Sequence, residues 1–293
     1  MTPRIHSIVV TYRRPTVLRA TLAAIDAQQV RPDHIVVVDN DSAGEATSDL
    51  DEPENVTYLR AAENLGPAGG IAVGMHRVLE NADDEDLVLL IDDDDPPPSS
   101  DSIARVLAIM ADAGPDVAAA GLVGARFDRR RALTRRVPDR ELVGRVDVDY
   151  IAGGQFPMYR VGAIRDVGVF DAQLFFGFEE LEFGLRLRSA GYRLLVDGDA
   201  MLALRRAHGR TGIGARAQAT PRPPWRRYYS SRNIVEISRR YGLRGAVVLS
   251  VLHAGPMAAV RGLLRFRDTR LAAAALRGTA DGVRGRLGRV DVP

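Results

Sequence analysis

The sequence contains neither lysine nor cysteine, and all 40 of its basic residues are arginine. Without a lysine amine, the chain cannot form a Schiff base with a carbonyl substrate or supply the phosphate-binding lysine of a Walker A loop. Without cysteine, it cannot form disulfides, use a thiolate nucleophile or bind zinc or iron–sulfur clusters through sulfur. Carboxylate, imidazole and hydroxyl groups therefore remain as the candidates for catalytic chemistry.

Long apolar segments are also scarce. The first apolar run, Ile8–Val10, is too short for a secretory signal. The longest uncharged run near the C-terminus, Gly245–Val260, contains a Gly-Pro pair and falls short of the roughly 18 apolar residues that suggest a membrane span. We therefore expect a cytoplasmic protein, in agreement with the absence of cysteine.

Charge is distributed unevenly, although the formal net charge is only +2. Residues 201–293 hold 19 arginines and four acidic residues, a charge of +15, whereas residues 1–200 hold 21 arginines and 34 acidic residues, a charge of −13. A GC-rich genome would explain arginine in place of lysine, but not its location. The basic end predicts an anionic partner. Because no nucleic-acid-binding signature accompanies it, we expect no nucleic acid but a salt-sensitive, peripheral membrane contact through residues about 239–290.

Short apolar runs alternate with helical patterns in the first 120 residues. Their near-continuous apolar character predicts a mostly parallel sheet with helices on both faces; the runs are residues 5–10, 34–38, 56–59 and 87–91. Ligands of such sheets bind at the carboxyl ends of the strands. Polar clusters follow three of the runs, at Thr11–Arg14, Asp39–Ser42 and Asp92–Asp95. This coincidence predicts an active site at that edge of the sheet.

Four consecutive aspartates, Asp92–Asp95, end the last of these runs. Like charges this close raise one another's pKa unless a partner neutralises them, and Mg²⁺ commonly binds one or two carboxylates together with substrate phosphates. The cluster therefore indicates a site for a metal and a diphosphate, with a solvated turn and helix cap as the alternative. A glycine-rich stretch, residues 64–70, can either hold a phosphate through backbone N–H groups or simply begin a helix.

The second part of the chain has a more mixed pattern. Residues 126–140 predict a basic turn region, and residues 150–160 predict an extended region. Residues 179–190 predict a helix, residues 205–224 a loop, and residues 225–240 and 243–264 two further helices.

Five segments of the sequence occur in the order found in one known family: IVVTYRRP (8–15), IVVVDNDS (35–42), NLGPAGGIAVG (64–74), LLIDDDDPPP (89–98) and FFGFEELEFGLRLRSAGY (175–192). On these segments, the chain resembles the inverting nucleotide-sugar glycosyltransferases of family 2, over roughly residues 4–241. The fragment FEELEFGLRL together with WRRYYSSRN (225–233) is particularly similar to galactofuranosyl- and rhamnosyl-transferases of actinobacterial type.

The resemblance implies an α/β GT-A fold, which is a Rossmann-like, mostly parallel central sheet flanked by helices, followed by a C-terminal helical extension. It divides the chain into a GT-A domain, residues 1–241, and a basic extension, residues 242–293. Within the domain, residues 1–120 would bind the nucleotide and residues 121–241 would bind the acceptor and carry the catalytic base.

The activity that the resemblance implies is metal-dependent glycosyl transfer with inversion. The sugar, with galactofuranose or rhamnose favoured, would pass from a nucleoside diphosphate, with UDP or dTDP favoured, to a hydroxyl of a glycan, a glycolipid or a small molecule. The oligomeric state stays open. The same resemblance assigns the base, ribose and phosphates of the donor to Thr11, Arg13, Asp39, Asn64, Gly66, Asp92 and Asp93.

The resemblance also assigns the metal and the chemistry. Asp94 would be the principal ligand of Mn²⁺ or Mg²⁺, with Asp92 and His208 as further ligands, and Asp95 would be a turn residue or a helix cap. Glu180 would be the base that deprotonates the acceptor hydroxyl. The acceptor itself would contact Glu179, Trp225 and Tyr228.

Two alternative functions remain at this point. A sugar-1-phosphate nucleotidyltransferase would normally need a glycine-rich loop with arginine and lysine after the first strand, whereas this chain has TYRRP there and contains no lysine. A non-catalytic, glycan- or membrane-associated scaffold with a degenerate GT-A fold is opposed by the intact Asp92–Asp94 cluster and by Glu180.

Overall fold

The computed structural model describes residues 3–51, 53–211, 223–242 and 244–290. Within these ranges, the chain forms eleven β-strands and ten α-helices. The strands are β1 Ile5–Thr11, β2 His34–Asp39, β3 Val56–Arg60, β4 Leu87–Asp92, β5 Val117–Gly121, β6 Gly124–Asp128, β7 Leu133–Arg135, β8 Arg145–Val148, β9 Tyr150–Ile151, β10 Met158–Arg160 and β11 Arg193–Asp197. The helices are α1 Pro15–Asp26, α2 Gly66–Leu79, α3 Ser102–Asp112, α4 Val161–Val167, α5 Glu179–Ser189, α6 Gly198–Ala207, α7 Pro224–Tyr241, α8 Arg244–Ala254, α9 Pro256–Phe266 and α10 Thr269–Arg284.

Eight strands form one sheet, in the order β3-β2-β1-β4-β10-β5-β11-β8. The first four pair in parallel, as do β5 and β11, whereas β10 and β8 run antiparallel to their neighbours. The predicted α/β architecture, with a mostly parallel central sheet flanked by helices, is therefore confirmed. Each of the four predicted strands forms and continues one residue further than its apolar run.

Apolar side chains cover both faces of the sheet, which explains why its strands are apolar at consecutive positions. On one face, Ile8 packs in the same cluster as Met75 of α2. On the other face, Val9 packs with Leu18 of α1 and Ile103 of α3. Burying each such side chain contributes about 1.5–3 kcal/mol, so these two layers hold β1 rigidly in the centre.

The register of β1 brings the polar clusters together. Thr11, the last residue of β1, pairs with Asp39 of β2, and Val10 pairs with Asp92 of β4. The chain leaves β1 toward β2 on one side and returns to β4 on the other side. A crevice opens at such a switch point in α/β sheets, so the fold itself provides a site beside the aspartates.

Helix α2 begins within the glycine-rich stretch and packs closely on β1. A Cβ on Gly70 would lie 2.5 Å from Val10 Cγ1, and a Cβ on Gly74 would lie 2.5 Å from Ile8 Cγ2. Real side chains do not approach this closely, so these two glycines permit the contact between helix and sheet. Of the two interpretations of residues 64–70, the structure therefore supports a helix start in which glycine serves packing.

The second part of the chain agrees with its predicted elements except in two stretches. The basic turn region predicted over residues 126–140 instead contains the end of β6 and the whole of β7, which pair antiparallel, so the turn is confined to the residues between them. Residues 150–160 form β9 and β10 around a turn, and α5 covers nearly the whole of the helix predicted over residues 179–190. The loop prediction over residues 205–224 is wrong at its beginning, because residues 205–207 complete α6. Arginine favours helices, and Arg205 is held by Val137 O and Asp139 at 2.8 and 2.6 Å. Residues 212–222 of that stretch lie outside the described residues.

The C-terminal helices pack on α7. Helix α10 lies directly against it, since a Cβ on Gly278 would lie 2.2 Å from Tyr228 O and one on Gly282 would lie 2.6 Å from Arg232 O. Residues 245–266 form one apolar stretch, in which an 18-residue window has a mean hydropathy of 1.6 and is 28% buried. By length and composition alone this stretch could cross a membrane. The sequence analysis found the run too short because it counted uncharged residues only and ended the run before the first arginine. Gly255 divides it into α8 and α9.

Candidate active site

A cavity of about 620 Å³ opens at the edge of the sheet where β1 and β4 end. Its walls come from the loop after β1, the start of α2, residues 175–180 and the start of α7. Many of the residues assigned to donor, metal or acceptor line it together: Thr11, Asn64, Gly66, Asp92, Asp93, Asp94, Glu179, Glu180 and Trp225. Acidic residues from β4 and from α5 thus reach the same cavity.

The aspartates after β4 differ in their partners. Asp93 is buried and accepts hydrogen bonds from Thr11 Oγ1 at 2.8 Å and from Arg14 at 3.3 Å. Asp94 is exposed and forms an ion pair with Arg14 at 2.7 Å. Asp92 is exposed to the cavity, and desolvation by the surrounding walls, together with the nearby charge of Glu180, raises its pKa to about 7. Asp92 is therefore the aspartate whose negative charge the protein compensates least.

The segment that carries the two glutamates has an unusual backbone. Phe175 and Phe178 have φ values of 60° and 70°, and Gly177 between them has 81°. Non-glycine residues in this left-handed region each cost on the order of 1–3 kcal/mol and persist only where their surroundings hold them. Helix α5 begins directly afterwards, with Glu179 and Glu180 in its first turn. The strained segment therefore fixes where these two carboxylates point.

The carboxyl groups of both glutamates are desolvated. Burial raises the pKa of Glu180, and the backbone N–H groups of Glu180 itself and of Gly153 oppose that change. Burial and the charge of Glu180 raise the pKa of Glu179 well above its usual range. A carboxylate with a raised pKa is a better proton acceptor near neutral pH than an ordinary one. Glu180 is therefore suited to general-base chemistry.

Residues 153 and 154 lie directly against the acidic side chains. A Cβ on Gly153 would lie 2.2 Å from Glu180 Oε1, and a Cβ on Gly154 would lie 2.4 Å from Asp95 Oδ2 and 3.0 Å from Asp92 Oδ2. Only glycine permits such an approach. The Gly-Gly turn between β9 and β10 thus packs against carboxylates from β4 and from α5 at once.

Two residues of α7 hold the strained segment from behind. The side-chain amide of Asn233 donates to the carbonyl oxygens of Leu174, Phe176 and Gly177 at 3.0, 3.0 and 2.7 Å. The guanidinium of Arg232, which is fully buried, also donates to Leu174 O at 2.7 Å. Backbone carbonyls that leave regular structure need such donors. This pair compensates for the irregular path of the chain before Glu180.

His208 is oriented as a metal ligand would be. Its Nδ1 lies 2.8 Å from Leu204 O. A carbonyl oxygen only accepts, so Nδ1 carries the hydrogen and Nε2 of the neutral ring keeps its lone pair. The carboxylate that interacts with His208 is Asp95. Of the two alternatives for Asp95, the turn residue is confirmed, since Asp95 N donates to Asp92 O in the turn after β4, and the helix cap is wrong, because α3 takes Asp101 as its N-cap residue.

The residues present fit a divalent cation chemically. Across the described ranges, no three acidic or histidine side chains converge closely enough to hold a metal ion. Asp92 lines the cavity, and Asp95, which interacts with His208, lies beside it at the Gly-Gly turn. Oxygen and imidazole donors together suit Mn²⁺, while carboxylates alone suit Mg²⁺. The raised pKa of Asp92, caused by burial and neighbouring carboxylates, is the imbalance that a cation would relieve.

Some assigned residues lie elsewhere. Asp39 is fully buried and accepts hydrogen bonds from Asp41 N and Thr47 Oγ1, both at 3.0 Å, so it shapes the turn after β2. Tyr228 is also fully buried, with its hydroxyl donating to Asp281 at 2.9 Å; stacking on an acceptor sugar is therefore excluded for this ring. Arg13 pairs with Asp41 at 3.1 Å outside the cavity lining, and its contact with a phosphate stays a prediction.

Asn40 was missed by the sequence analysis, and Arg226 was not singled out there, although both line the cavity. The side chain of Asn40 donates to Gly66 O at 2.9 Å, while its buried Oδ1 has no hydrogen-bond partner among the described residues. The guanidinium of Arg226 lies 5.0 Å from the ring of Phe176 and 5.1 Å from that of Trp225. Both follow a residue that had been assigned, so position within the motif was the available signal.

Sequence comparisons find similar glycosyltransferases. The model of the family described as glycosyltransferase like family 2 matches residues 3–220. The chain is 30% identical to galactofuranosyltransferase GlfT1 of Mycobacterium tuberculosis over 260 residues, which cover 83% of this chain and 85% of that protein. It is 32% identical to galactofuranosyltransferase GlfT1 of Mycolicibacterium smegmatis over 205 residues, which cover 63% and 65%.

Similar solved structures share the fold. GalNAc-T7 with UDP, GalNAc and Mn²⁺ gives a TM-score of 0.61 at 10% identity, covering 97% of this chain and 56% of that one. TarS 1–349 of S. aureus in complex with UDP-GlcNAc gives 0.52 at 15% identity, covering 99% and 94%. At such low identity, these similarities extend to the fold and no further.

Proposed function

The chain belongs to glycosyltransferase family 2 and is a glycosyltransferase of the GT-A fold, and we propose that it transfers galactofuranose or rhamnose from UDP or dTDP with inversion. The observation that carries this proposal is the meeting of Asp92–Asp94 with Glu180 in one cavity at the sheet edge. The name of the M. tuberculosis relative supports galactofuranose as the first sugar to test.

The donor nucleotide is proposed to lie against the end of β1. Thr11, Asn64 and Gly66 line that wall, and Asn40 adds a buried carbonyl oxygen that can accept from an N–H group of the base or a ribose hydroxyl. Arg14 and Arg226 are the cavity's guanidinium groups, and guanidinium binds phosphate in a bidentate manner. We propose them, together with Arg13, as contacts for the diphosphate.

The base of the reaction is proposed to be Glu180. An acceptor hydroxyl oxygen forms a bond to the anomeric carbon while the bond from that carbon to the diphosphate oxygen breaks, and the hydroxyl proton passes to the Glu180 carboxylate. Attack from the face opposite the leaving group inverts the anomeric configuration. Gly153 lies directly against this carboxylate. Glu179 and Trp225 are proposed to position the acceptor.

A divalent cation, Mn²⁺ or Mg²⁺, would be held by Asp92 and Asp94 with His208, and the structure adds Asp95 as a fourth candidate. When bound, such an ion neutralises negative charge on the departing diphosphate. Two variants, Asp94→Asn and Asp95→Asn, test which of these aspartates binds the ion. For each variant and for the wild type, the Mn²⁺ concentration that gives half-maximal turnover is measured. The ligand is the residue whose replacement raises that concentration.

The acceptor is proposed to be a cell-wall or other polysaccharide glycan, free or lipid-linked. We also propose a division of labour in which residues 1–120 bind the nucleotide, residues 121–241 bind the acceptor, and residues 242–293 form a basic extension. The proposed location is cytoplasmic, with peripheral contact to the membrane through residues about 239–290.

A donor panel tests the proposal. Purified protein is incubated with UDP-galactofuranose, dTDP-rhamnose, UDP-glucose or GDP-mannose and a lipid-linked glycan acceptor, with Mn²⁺ or with EDTA, and the products are analysed by mass spectrometry and NMR. We expect transfer from one of the first two donors, only with Mn²⁺, and an inverted anomeric centre. Transfer in EDTA, or retention of configuration, would contradict the mechanism.

A further inference from the structure

The outer faces of α8 and α9 carry large apolar side chains that the protein leaves uncovered. On α8 these are Val248, Leu249 and Leu252, and on α9 they are Met257, Val260, Leu263 and Leu264, the last of which is 79% exposed. Scattered single apolar residues on a surface are ordinary, but a contiguous apolar face indicates an interaction site. We call these seven residues the apolar face.

The exposed side of α8 contains no charged residue among those whose side chains are described. Its exposed positions are Gly245, Val248, Leu249 and Leu252. A helix in contact with water normally places charged or polar residues on its outer side. The inner side is occupied in the protein, since Ala246 packs with Ile237 of α7. The outer side of α8 is therefore adapted to an apolar environment.

Positive charge surrounds the apolar face. Arginines 261, 265, 267 and 270 are exposed on α9 and at the start of α10, and the sequence from residue 237 to residue 267 contains no acidic residue. Apolar residues flanked by arginine are typical of helices that lie in the interface of a membrane with anionic lipids. We infer that the apolar face of α8 and α9 inserts into the surface of an anionic lipid bilayer.

The same helices are unsuited to crossing the bilayer while the fold is intact. Gly255, with φ −96° and ψ −95°, ends the regular helix between them, and each part has 11 residues. An 11-residue helix is about 16 Å long, whereas the hydrocarbon core is about 30 Å thick. The inner side of α9 packs against the protein, because a Cβ on Gly262 would lie 3.3 Å from Leu271 Cβ of α10. The helices therefore lie along the surface.

The junction of the two helices is next to the active-site cavity. Ser231 Oγ donates to Ala254 O at 2.9 Å, and the preceding residue, Ser230, lines the cavity. Trp225, on the same wall, is the chain's single tryptophan. Insertion of the apolar face would therefore hold this wall of the cavity close to the lipid headgroups, and the fluorescence of Trp225 can report it.

Vesicle flotation of the full chain tests the inference. The probes are phosphatidylcholine vesicles with and without phosphatidylglycerol, at about 0.1 M and about 1 M salt, where the Debye length is about 10 and about 3 Å. The variant Leu252→Glu/Leu264→Glu removes part of the apolar face. Val143→Glu, at a residue 73% exposed outside this face, is the matched control.

We expect the wild type and Val143→Glu to bind phosphatidylglycerol vesicles and to keep part of that binding at high salt, because apolar insertion is not screened. The double variant should bind at least about tenfold more weakly. Energy transfer from Trp225 to dansyl-labelled headgroups should appear with the wild type and disappear with the double variant.

Four results would overturn the inference: equal binding by wild type and double variant, no binding to any vesicle, extraction by detergent alone as for a spanning helix, or a dimer in solution that only the double variant dissociates. The inference rests on the proposed membrane contact and not on the proposed reaction. Thermal stabilisation of every variant by UDP with Mn²⁺ is measured in parallel, so a failure of the donor proposal is recognised separately.

Discussion

Replacing Gly153 by alanine should inactivate the enzyme without unfolding it. The new Cβ would lie 2.2 Å from Glu180 Oε1, whereas real side chains keep at least 3.0 Å. The carboxylate therefore has to retreat by about 1 Å. A misplacement of about 1 Å at a reacting group can lower turnover about a hundredfold, and we expect this decrease in kcat.

The fold should survive the substitution for two reasons. The φ of Gly153 lies outside the left-handed region, so its backbone is compatible with alanine, and the atom that must move ends a flexible side chain. Gly245→Ala is the matched control, because a Cβ there would meet no described atom within 4 Å. Thermal melting and stabilisation by UDP with Mn²⁺ should be the same for Gly153→Ala and for the control.

Steady-state kinetics with a saturating donor measure the effect. The double variant Gly153→Ala/Glu180→Gln should be no slower than Glu180→Gln alone, since the glycine acts through that carboxylate. If Gly153→Ala turns over as fast as the Gly245→Ala control, or if the two substitutions at 153 and 180 are additive, the assignment of Glu180 as the positioned base is refuted.

Three further predictions concern the surroundings of the site. Asn233→Ala should lower the free energy of unfolding in urea by about 2–3 kcal/mol, because the part-buried carbonyls of Phe176 and Gly177 lose their side-chain donor, whereas an unchanged urea midpoint would refute this role of Asn233. Burial alone would raise the pKa of Asp86, but backbone N–H groups and Arg4 lower it to about 2. Asp86→Asn should therefore lower the free energy of unfolding by up to about 2 kcal/mol at pH 7. This difference from the wild type should persist above about pH 4 and vanish as the pH falls toward 2. His208→Ala should raise the Mn²⁺ concentration for half-maximal turnover at least about tenfold, and an unchanged requirement would remove His208 from the metal site.

Much of the donor half could be predicted because its signals are local. Apolar runs of strand length, each followed by a polar cluster, fix the strand ends, and parallel strands bring their ends to one edge. Asp93 and Thr11 therefore meet as expected. The glutamates of α5 needed the family resemblance as well, since their approach to β4 joins parts of the chain almost 90 residues apart.

The misassigned residues depended on tertiary packing. Tyr228 sits in an aromatic-rich motif, but α10 covers its side of α7, and nothing in the local sequence reveals that cover. The Gly-Gly turn at 153 and 154 was recognised only as an irregular extended region, because its partners, Glu180 and Asp92, are distant in sequence. The burial of a side chain depends on the elements that pack on it, and the local sequence does not reveal which elements these are.

The central claim is that Glu180 removes the acceptor proton in metal-dependent transfer from a nucleotide sugar. The most direct measurement is the single-turnover rate of Glu180→Gln with UDP-galactofuranose, or the donor that the panel selects, beside its stabilisation by UDP with Mn²⁺. Glutamine keeps the shape of the side chain but cannot accept the proton. We predict that transfer falls by at least about a hundredfold while nucleotide binding is unchanged. Transfer at a rate near that of the wild type would contradict the account.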